Sequence, residues 1–408
     1  MMVFANRYVL PGLLAVGLSI PQGVSNLFLP SVKVSSIYDV QDVRLPLISF
    51  QTLLIFLYII FLFENAIISW RHTILVVILF FFGFVGAFYS LSPGGYLSYS
   101  LLWCIFPFAA ILHAHSLNGG YTAESLIFDV RFIGVAYLPF YLFDIGISMV
   151  YFGLQDFSSF MLASNGHSFV SFLFSFVFLS NFFAYSNVRN ARLEIDLIFG
   201  IVYLIGGMIS AGRVSFMAFV FCLFVTSPRK MFKFCLFASP LFLILLTSIG
   251  KFQLLIELIF NEDYSDFRIW SSGVSRLDFW ASYFEMFLDN ILAGAGGLAG
   301  NAVKYDYGFP YDVFVDPHNE LLFVLSGFGV MGVGFIFTSL LLVFAIGRDR
   351  RFCALSHSQT RDYSLRPILS YIFICSVSNA NSAKQNIQVF IIFILMMAVY
   401  GAANTRRF

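Results

Sequence analysis

Residues 196–250 read DLIFGIVYLIGGMISAGRVSFMAFVFCLFVTSPRKMFKFCLFASPLFLILLTSIG. Three apolar runs, near 196–210, 214–227 and 231–249, are separated by a tight turn and a basic connection. The turn is Ser210-Ala211-Gly212-Arg213; the connection holds Arg229, Lys230 and Lys233. Apolar runs of this kind are what membrane-crossing helices require, about 20 residues for a full span. Composition extends the reading to the whole chain, which has 408 residues, 59% hydrophobic and 11% charged. A soluble domain carries about 25% charged residues, so lipid must be the solvent here. Phe is abundant at 54, and strictly alternating segments are missing, which argues against an outer-membrane barrel. A net charge of +1 with no basic stripe gives no footing for nucleic acid.

The expected fold is all-α: a polytopic integral membrane protein of about twelve transmembrane helices. The spans fall near 8–30, 45–63, 73–91, 96–113, 130–152, 168–185, 196–210, 214–227, 231–249, 318–346, 367–379 and 386–402. The first follows Arg7 without a small-residue cleavage site and reads as a retained helix. Residues 1–408 form one transmembrane domain, with a large loop at 250–317 between the ninth and tenth helices. Lys and Arg set the orientation. With a cytoplasmic N-terminus, the inner segments hold Arg7, Arg71, Arg189, Arg192, Arg229, Lys230, Lys233, Arg348, Arg350, Arg351, Arg361, Arg366, Arg406 and Arg407. The short outer segments hold only Lys33, Arg44, Arg213 and Lys384. Both termini are therefore expected in the cytoplasm and the long loop outside. Cys104, Cys222, Cys235 and Cys375 fall in spans and Cys353 in an inner loop, so no disulfide framework is expected.

The loop carries the next signal. Leu277, Trp280, Phe284, Phe287 and Ile291 recur at spacings of three and four, with Arg276, Asp278, Ser282, Glu285 and Asp289 on the other side. That pattern predicts an amphipathic helix along the membrane surface, with Arg276 at its start. Gly294-Ala295-Gly296-Gly297 ends it in a turn that could cradle a phosphate. Asp316 and Pro317 then read as helix cap and first helical residue, which puts His318 in the first turn of the tenth span. A helix N-terminus keeps imidazole neutral, the form a general base needs.

Each of these residues also has a plain structural reading. Arg276 could be a surface arginine among headgroups, and His318 an interfacial histidine. Arg213, beside the seventh and eighth spans, is costly there unless it faces a cavity or a partner, and Asp144 at similar depth in the fifth span could be that partner. Asp129 and Arg131 read as a structural pair. His167, at the start of span six, is a further candidate for contact with substrate, whereas His72, His113, His115 and His357 fall on the inner side. Metal and nucleotide motifs are lacking, and neither cofactor nor metal is expected.

Three places resemble the bacterial O-antigen polymerase and O-antigen ligase superfamily. Ser210-Ala211-Gly212-Arg213 is similar to its Ser-x-Arg or Ser-x-x-Arg turn. Ser275-Arg276 with Trp280, Asp289-Asn290 and Gly294-x-Gly296 resembles its Arg-x-x-x-Trp and Gly-x-Gly region. Pro317-His318-Asn319-Glu320-Leu321, followed by Gly327, Gly329 and Gly332, resembles its His-Asn-x-x-Leu motif and glycine-bearing helix. One departure is Gly212, which stands before the arginine where serine is common, leaving Ser210 to take that part or not.

The resemblance implies a membrane glycosyltransferase of the bacterial inner membrane, with its active site facing the periplasm. Arg213 and Arg276 would bind the diphosphate of an undecaprenyl-diphosphate-linked oligosaccharide, since the planar guanidinium holds phosphate bidentately. His318 would be the catalytic base on the acceptor hydroxyl. Ser210, Asp316 and Asn319 would support them; Asp144 and His167 are added from their own positions and not from the family. The chemistry implied is inverting and metal-independent. A polymerase would extend a lipid-linked repeat unit; a ligase would load lipid A–core. Few basic residues in the loop (Lys251, Arg268, Arg276 and Lys304) favour the polymerase. A lipid-linked oligosaccharide flippase is the alternative from another class. Implied partners are that donor, membrane lipid and, where product length is controlled, a polysaccharide chain-length regulator.

Overall fold

A computed structural model describes residues 2–20, 26–28, 32–35, 40–43, 46–62, 70–91, 93–115, 121–153, 159, 161–185, 191–210, 212–226, 228–230, 280–296, 319–348, 366–378 and 385–405. Arg276, Asp316, His318, the predicted span at 231–249 and most of the loop lie outside them, as does the side chain of Arg213. The helices are α1 (Met2–Ser19), α2 (Phe50–Leu62), α3 (Trp70–Tyr89), α4 (Pro93–His115), α5 (Ala123–Phe152), α6 (Ala163–Tyr185), α7 (Ala191–Ile209) and α8 (Arg213–Thr226). They continue with α9 (280–289), α10 (Glu320–Gly347), α11 (Arg366–Ser378) and α12 (Gln385–Thr405). Each predicted span overlaps a helix, apart from 231–249, which lies outside the described residues, and α9 matches the helix expected in the loop.

Hydrocarbon offers backbone amides no partner, so apolar runs satisfy them internally by coiling. Among the described residues, three helices are long and apolar enough to cross a membrane: Glu124–Phe152, Gly166–Ala184 and Glu320–Gly347. The other apolar helices among the described residues are shorter, Thr73–Tyr89 and Val214–Thr226 among them. The expected span at 8–30 is corrected: α1 ends at Ser19, and Asn26–Phe28 is a strand. That strand (β1) pairs antiparallel with β4 (Pro46–Ser49), enclosing a second pairing of β2 (Val32–Ser35) with β3 (Val40–Val43). The span expected at 45–63 accordingly starts as β4 and becomes helical at Phe50.

The chain forms two compact units. One comprises Tyr137–Asp278 and Arg366–Ser378. In it α6 packs on α7 and α8, and α8 on α11. Glycines on α7 permit close approach: a Cβ at Gly200 would meet Leu179, one at Gly206 the Tyr141 hydroxyl, and one at Gly207 the Phe172 ring. The other unit comprises Met1–Ala136, Phe279–Leu365 and Asn379–Phe408. In it α10 packs on α3, α4 and α12. Its interior holds a buried polar group: Asp129 accepts hydrogen bonds from His113 Nε2 at 2.8 Å and Tyr121 at 2.7 Å. The partners of Asp129 are thus on α4 and the α4–α5 connection, in place of the pairing with Arg131 read from the sequence.

Candidate functional site

In the first of these units, the turn between α7 and α8 is short because two helices meet there almost without a connection. Gly206 O accepts from Ser210 N at 3.2 Å as α7 ends, and Gly212 O accepts from Phe216 N at 3.0 Å as α8 begins. Arg213 is therefore the first residue of α8. Ser210 is buried and donates to Gly207 O at 3.0 Å, so its hydroxyl serves its own helix end. Against this turn stands the start of α6. Ser168 donates to Gly212 O at 3.4 Å, and a Cβ at Gly212 would overlap the Ser168 side chain.

His167, the neighbour of Ser168, is fully buried, and its ring stacks on Tyr141 of α5 with centroids 4.9 Å apart and planes 7° from parallel. Ser171 joins the two, lying 2.9 Å from the Tyr141 hydroxyl and 3.5 Å from His167 Nδ1. One turn along α5, the buried Asp144 carboxylate accepts from Ser159 at 2.5 Å, Ser148 at 3.3 Å and Met161 N–H at 3.3 Å. Those donors lie on α5 and the α5–α6 connection; the Arg213 side chain, the partner the sequence suggested, lies outside the described residues. Asp144, His167 and Ser210 thus gather at the end of the unit where α8 begins with Arg213. Tyr141, Ser168 and Ser171 belong to the same group and were not singled out from the sequence; a helical spacing from His167 to Ser171 is the signal that could have found them.

In the other unit α10 is broken. Gly329 has φ 62° and ψ −162°, a left-handed excursion that interrupts the helix. The turn after α9 fits into the break. Ala295 N–H donates to Ser326 O at 2.7 Å and Gly296 N–H to Gly327 O at 2.8 Å. In return Val330 N–H donates to Ile291 O at 2.8 Å and Met331 N–H to Leu292 O at 2.9 Å. Each segment satisfies backbone groups the other leaves open. Gly294, with φ 64°, donates to Asn290 O at 2.8 Å. The N–H groups of Gly294, Ala295 and Gly296 are thus committed and do not serve the phosphate that this turn could have cradled; Gly297 lies outside the described residues.

Tyr283, Met286 and Ala295 form one apolar cluster with Leu322; Ala293, Phe323 and Phe328 form another with Ala87 and Tyr96. Tyr283 and Met286 lie by Leu322 while Ile291 and Leu292 reach Val330 and Met331, so α9 and the first part of α10 run in the same sense. The inward face of α9 is therefore Tyr283 and Met286. Of the predicted stripe, Phe284 and Ile291 are exposed, and Trp280 and Phe287 are half-buried.

The cap of α10 differs from expectation as well. Asn319 is the N-cap, its side chain accepting from Leu322 N–H at 3.2 Å, and the helix starts at Glu320. Asp316 is not the cap, and His318 precedes the helix in sequence instead of lying within its first turn. An Asn three residues beyond Asp316 competed for the cap and won, since Asn and Asp cap about equally well.

A helical membrane protein with buried polar groups at helix ends is the class these features define. Residues 174–337 match the family model described as O-antigen ligase, and this match supports membership of the O-antigen ligase and polymerase superfamily. Members are membrane glycosyltransferase-like enzymes acting on lipid-linked oligosaccharides. The match covers less than half of the chain; it contains Ser210, Arg213, Arg276, Asp316, His318 and Asn319, and leaves out Asp144 and His167. Comparison with curated proteins gives no match.

Proposed function

We propose that this protein is an O-antigen polymerase that moves a growing glycan from undecaprenyl diphosphate onto a lipid-linked repeat unit. It acts as one transmembrane domain of the bacterial inner membrane, with both termini in the cytoplasm and loop 250–317 in the periplasm. The observation that carries the reading is the family match over 174–337, because that stretch holds both arginines and the histidine the chemistry asks for. Arg276 precedes α9 and His318 precedes the Asn319 cap of α10, two helices that run in the same sense within one packed cluster.

In the proposed reaction Arg213 and Arg276 bind the donor diphosphate and stabilise the charge that grows on it as the anomeric C–O bond breaks. His318 takes the proton from the acceptor hydroxyl, whose oxygen forms the new glycosidic bond. Attack opposite the leaving diphosphate inverts the anomeric carbon, and no metal is required. Transfer to lipid A–core, the ligase reaction, is the second reading, favoured because the matching family is that of the O-antigen ligases.

The test is a lipopolysaccharide gel from a strain lacking the gene, complemented with wild type or with His318→Ala. Core carrying one repeat unit and no ladder identifies a polymerase; bare core with polymer left on the carrier lipid identifies a ligase. His318→Ala is expected not to complement while present in the membrane. A flippase tolerates that substitution, and a normal ladder in the deletion strain overturns the pathway.

A further inference from the structure

We infer that Ser168 is a positioning residue for Arg213, and that it acts by holding from α6, through its hydroxyl and by packing, the Gly212 backbone at the start of α8. This rests on the reading of Arg213 as a diphosphate ligand. Gly212 is the last residue before α8, and its carbonyl accepts the first helical hydrogen bond from Phe216 N–H at 3.0 Å. It therefore occupies the N-cap, where a side-chain oxygen normally satisfies one of the free N–H groups of the first turn. Glycine has no such oxygen. The space its side chain would fill is taken by the Ser168 side chain, whose Cβ and Oγ lie within bonding-scale distance of an ideal Gly212 Cβ. Ser215 Oγ is 3.8 Å from the same point. The Ser168 hydroxyl also donates to Gly212 O at 3.4 Å, so the contact is directional.

Ser168 is itself held. It is fully buried, its neighbour His167 is stacked on Tyr141, and Phe169 O accepts from the Tyr371 hydroxyl of α11 at 2.8 Å. A contact drawn from a buried neighbouring helix fixes the backbone from which Arg213 departs more firmly than a contact within the turn could. That is useful only if Arg213 must meet its ligand in one geometry, because an error of about 1 Å in placement can cost about a hundredfold in rate.

The experiment exchanges the side chains. Ser168→Gly and Gly212→Ser are made singly and together, with Ser168→Ala as a milder probe that keeps the Cβ. Full-length protein is purified in lipid nanodiscs. Transfer is assayed at varied donor concentration, and binding of undecaprenyl diphosphate is measured directly. Each single exchange is expected to raise the donor KM and weaken binding by about tenfold or more, with kcat less affected. The double exchange returns a hydroxymethyl group to the same space from residue 212 and should return both to within about threefold of wild type.

Single variants that match wild type overturn the inference. So does a double variant no better than the worse single, whether the defect is in activity or in the amount of folded protein. Ser168→Ala with wild-type binding overturns it too, because the hydroxyl would then be idle. A wild type that neither binds undecaprenyl diphosphate nor transfers glycan overturns the glycosyltransferase reading itself, which separates that failure from this one.

Discussion

Two glycine turns of this chain look alike in sequence and are built on different physics. Gly294 and Gly329 carry positive φ, and each would drive a Cβ into the other's backbone: Gly329 against Ile291, Leu292 and Ala293, Gly294 against Ser326, Gly327 and Phe328. Gly212 is not among the glycines of positive φ, and what a Cβ there would meet is the Ser168 side chain. At the first turn the obstacle is main chain, which no neighbouring substitution removes. At the second it is one hydroxymethyl group, which a compensating change can delete. One glycine pair is therefore a fixed requirement of the fold, and the other glycine is half of an exchangeable pair.

The largest effect should come from Gly329→Ala. Left-handed strain costs about 1–2 kcal/mol and overpacking about 1–3 more. The four reciprocal backbone bonds across the break would loosen together, lowering thermal stability in detergent and abolishing polymer. A melting temperature and ladder like wild type would break the comparison at its stronger end. Next is Gly206→Ala, whose Cβ would overlap the Tyr141 hydroxyl, at about 1–3 kcal/mol. Because the obstacle is again a side chain, Tyr141→Phe should recover part of the stability in the double variant; no recovery would mean that backbone movement and not the hydroxyl sets the cost.

Gly153→Ala isolates strain from crowding. Gly153 has φ 72° with nothing within 4 Å of its would-be Cβ, so strain alone should cost about 1–2 kcal/mol, read as a modest drop in melting temperature with polymer retained. If Gly153→Ala proved as damaging as Gly329→Ala, crowding would explain nothing at the helix break. The smallest change should be Ser326→Ala. Its carbonyl takes part in the interlock, but its hydroxyl bonds Leu322 O of its own helix at 2.7 Å. Removing that hydroxyl should cost less than about 1 kcal/mol, and a large loss would show that the side chain and not the backbone holds the break.

Much of the architecture was legible without coordinates. Helical positions followed from hydropathy, as at α6, expected at 168–185 and found at Ala163–Tyr185. The α7–α8 turn followed from Gly212 and Arg213 between two apolar runs, and α9 from spacing in an otherwise polar loop. The stripe of Trp280, Phe284, Phe287 and Ile291 reads as lying along a membrane surface; that Tyr283 and Met286 are the residues of α9 that pack against α10 was not legible, because a stripe facing lipid and one facing protein have the same periodicity. The sequence also misplaced the cap of α10, because Asp316 and Asn319 carry equivalent capping groups three residues apart.

The sequence by itself determined that the chain lives in lipid, where its helices lie and which polar residues stand out at their ends. These follow from composition and local periodicity, which act over a few residues. Tertiary structure alone decided that Ala295 and Gly296 spend their amides on α10, that Asp129 belongs to His113 and Tyr121, and that Ser168 donates to the Gly212 carbonyl at the start of α8. Each of those joins residues dozens of positions or more apart or depends on which donor reaches an acceptor first, and no local signal carries that information.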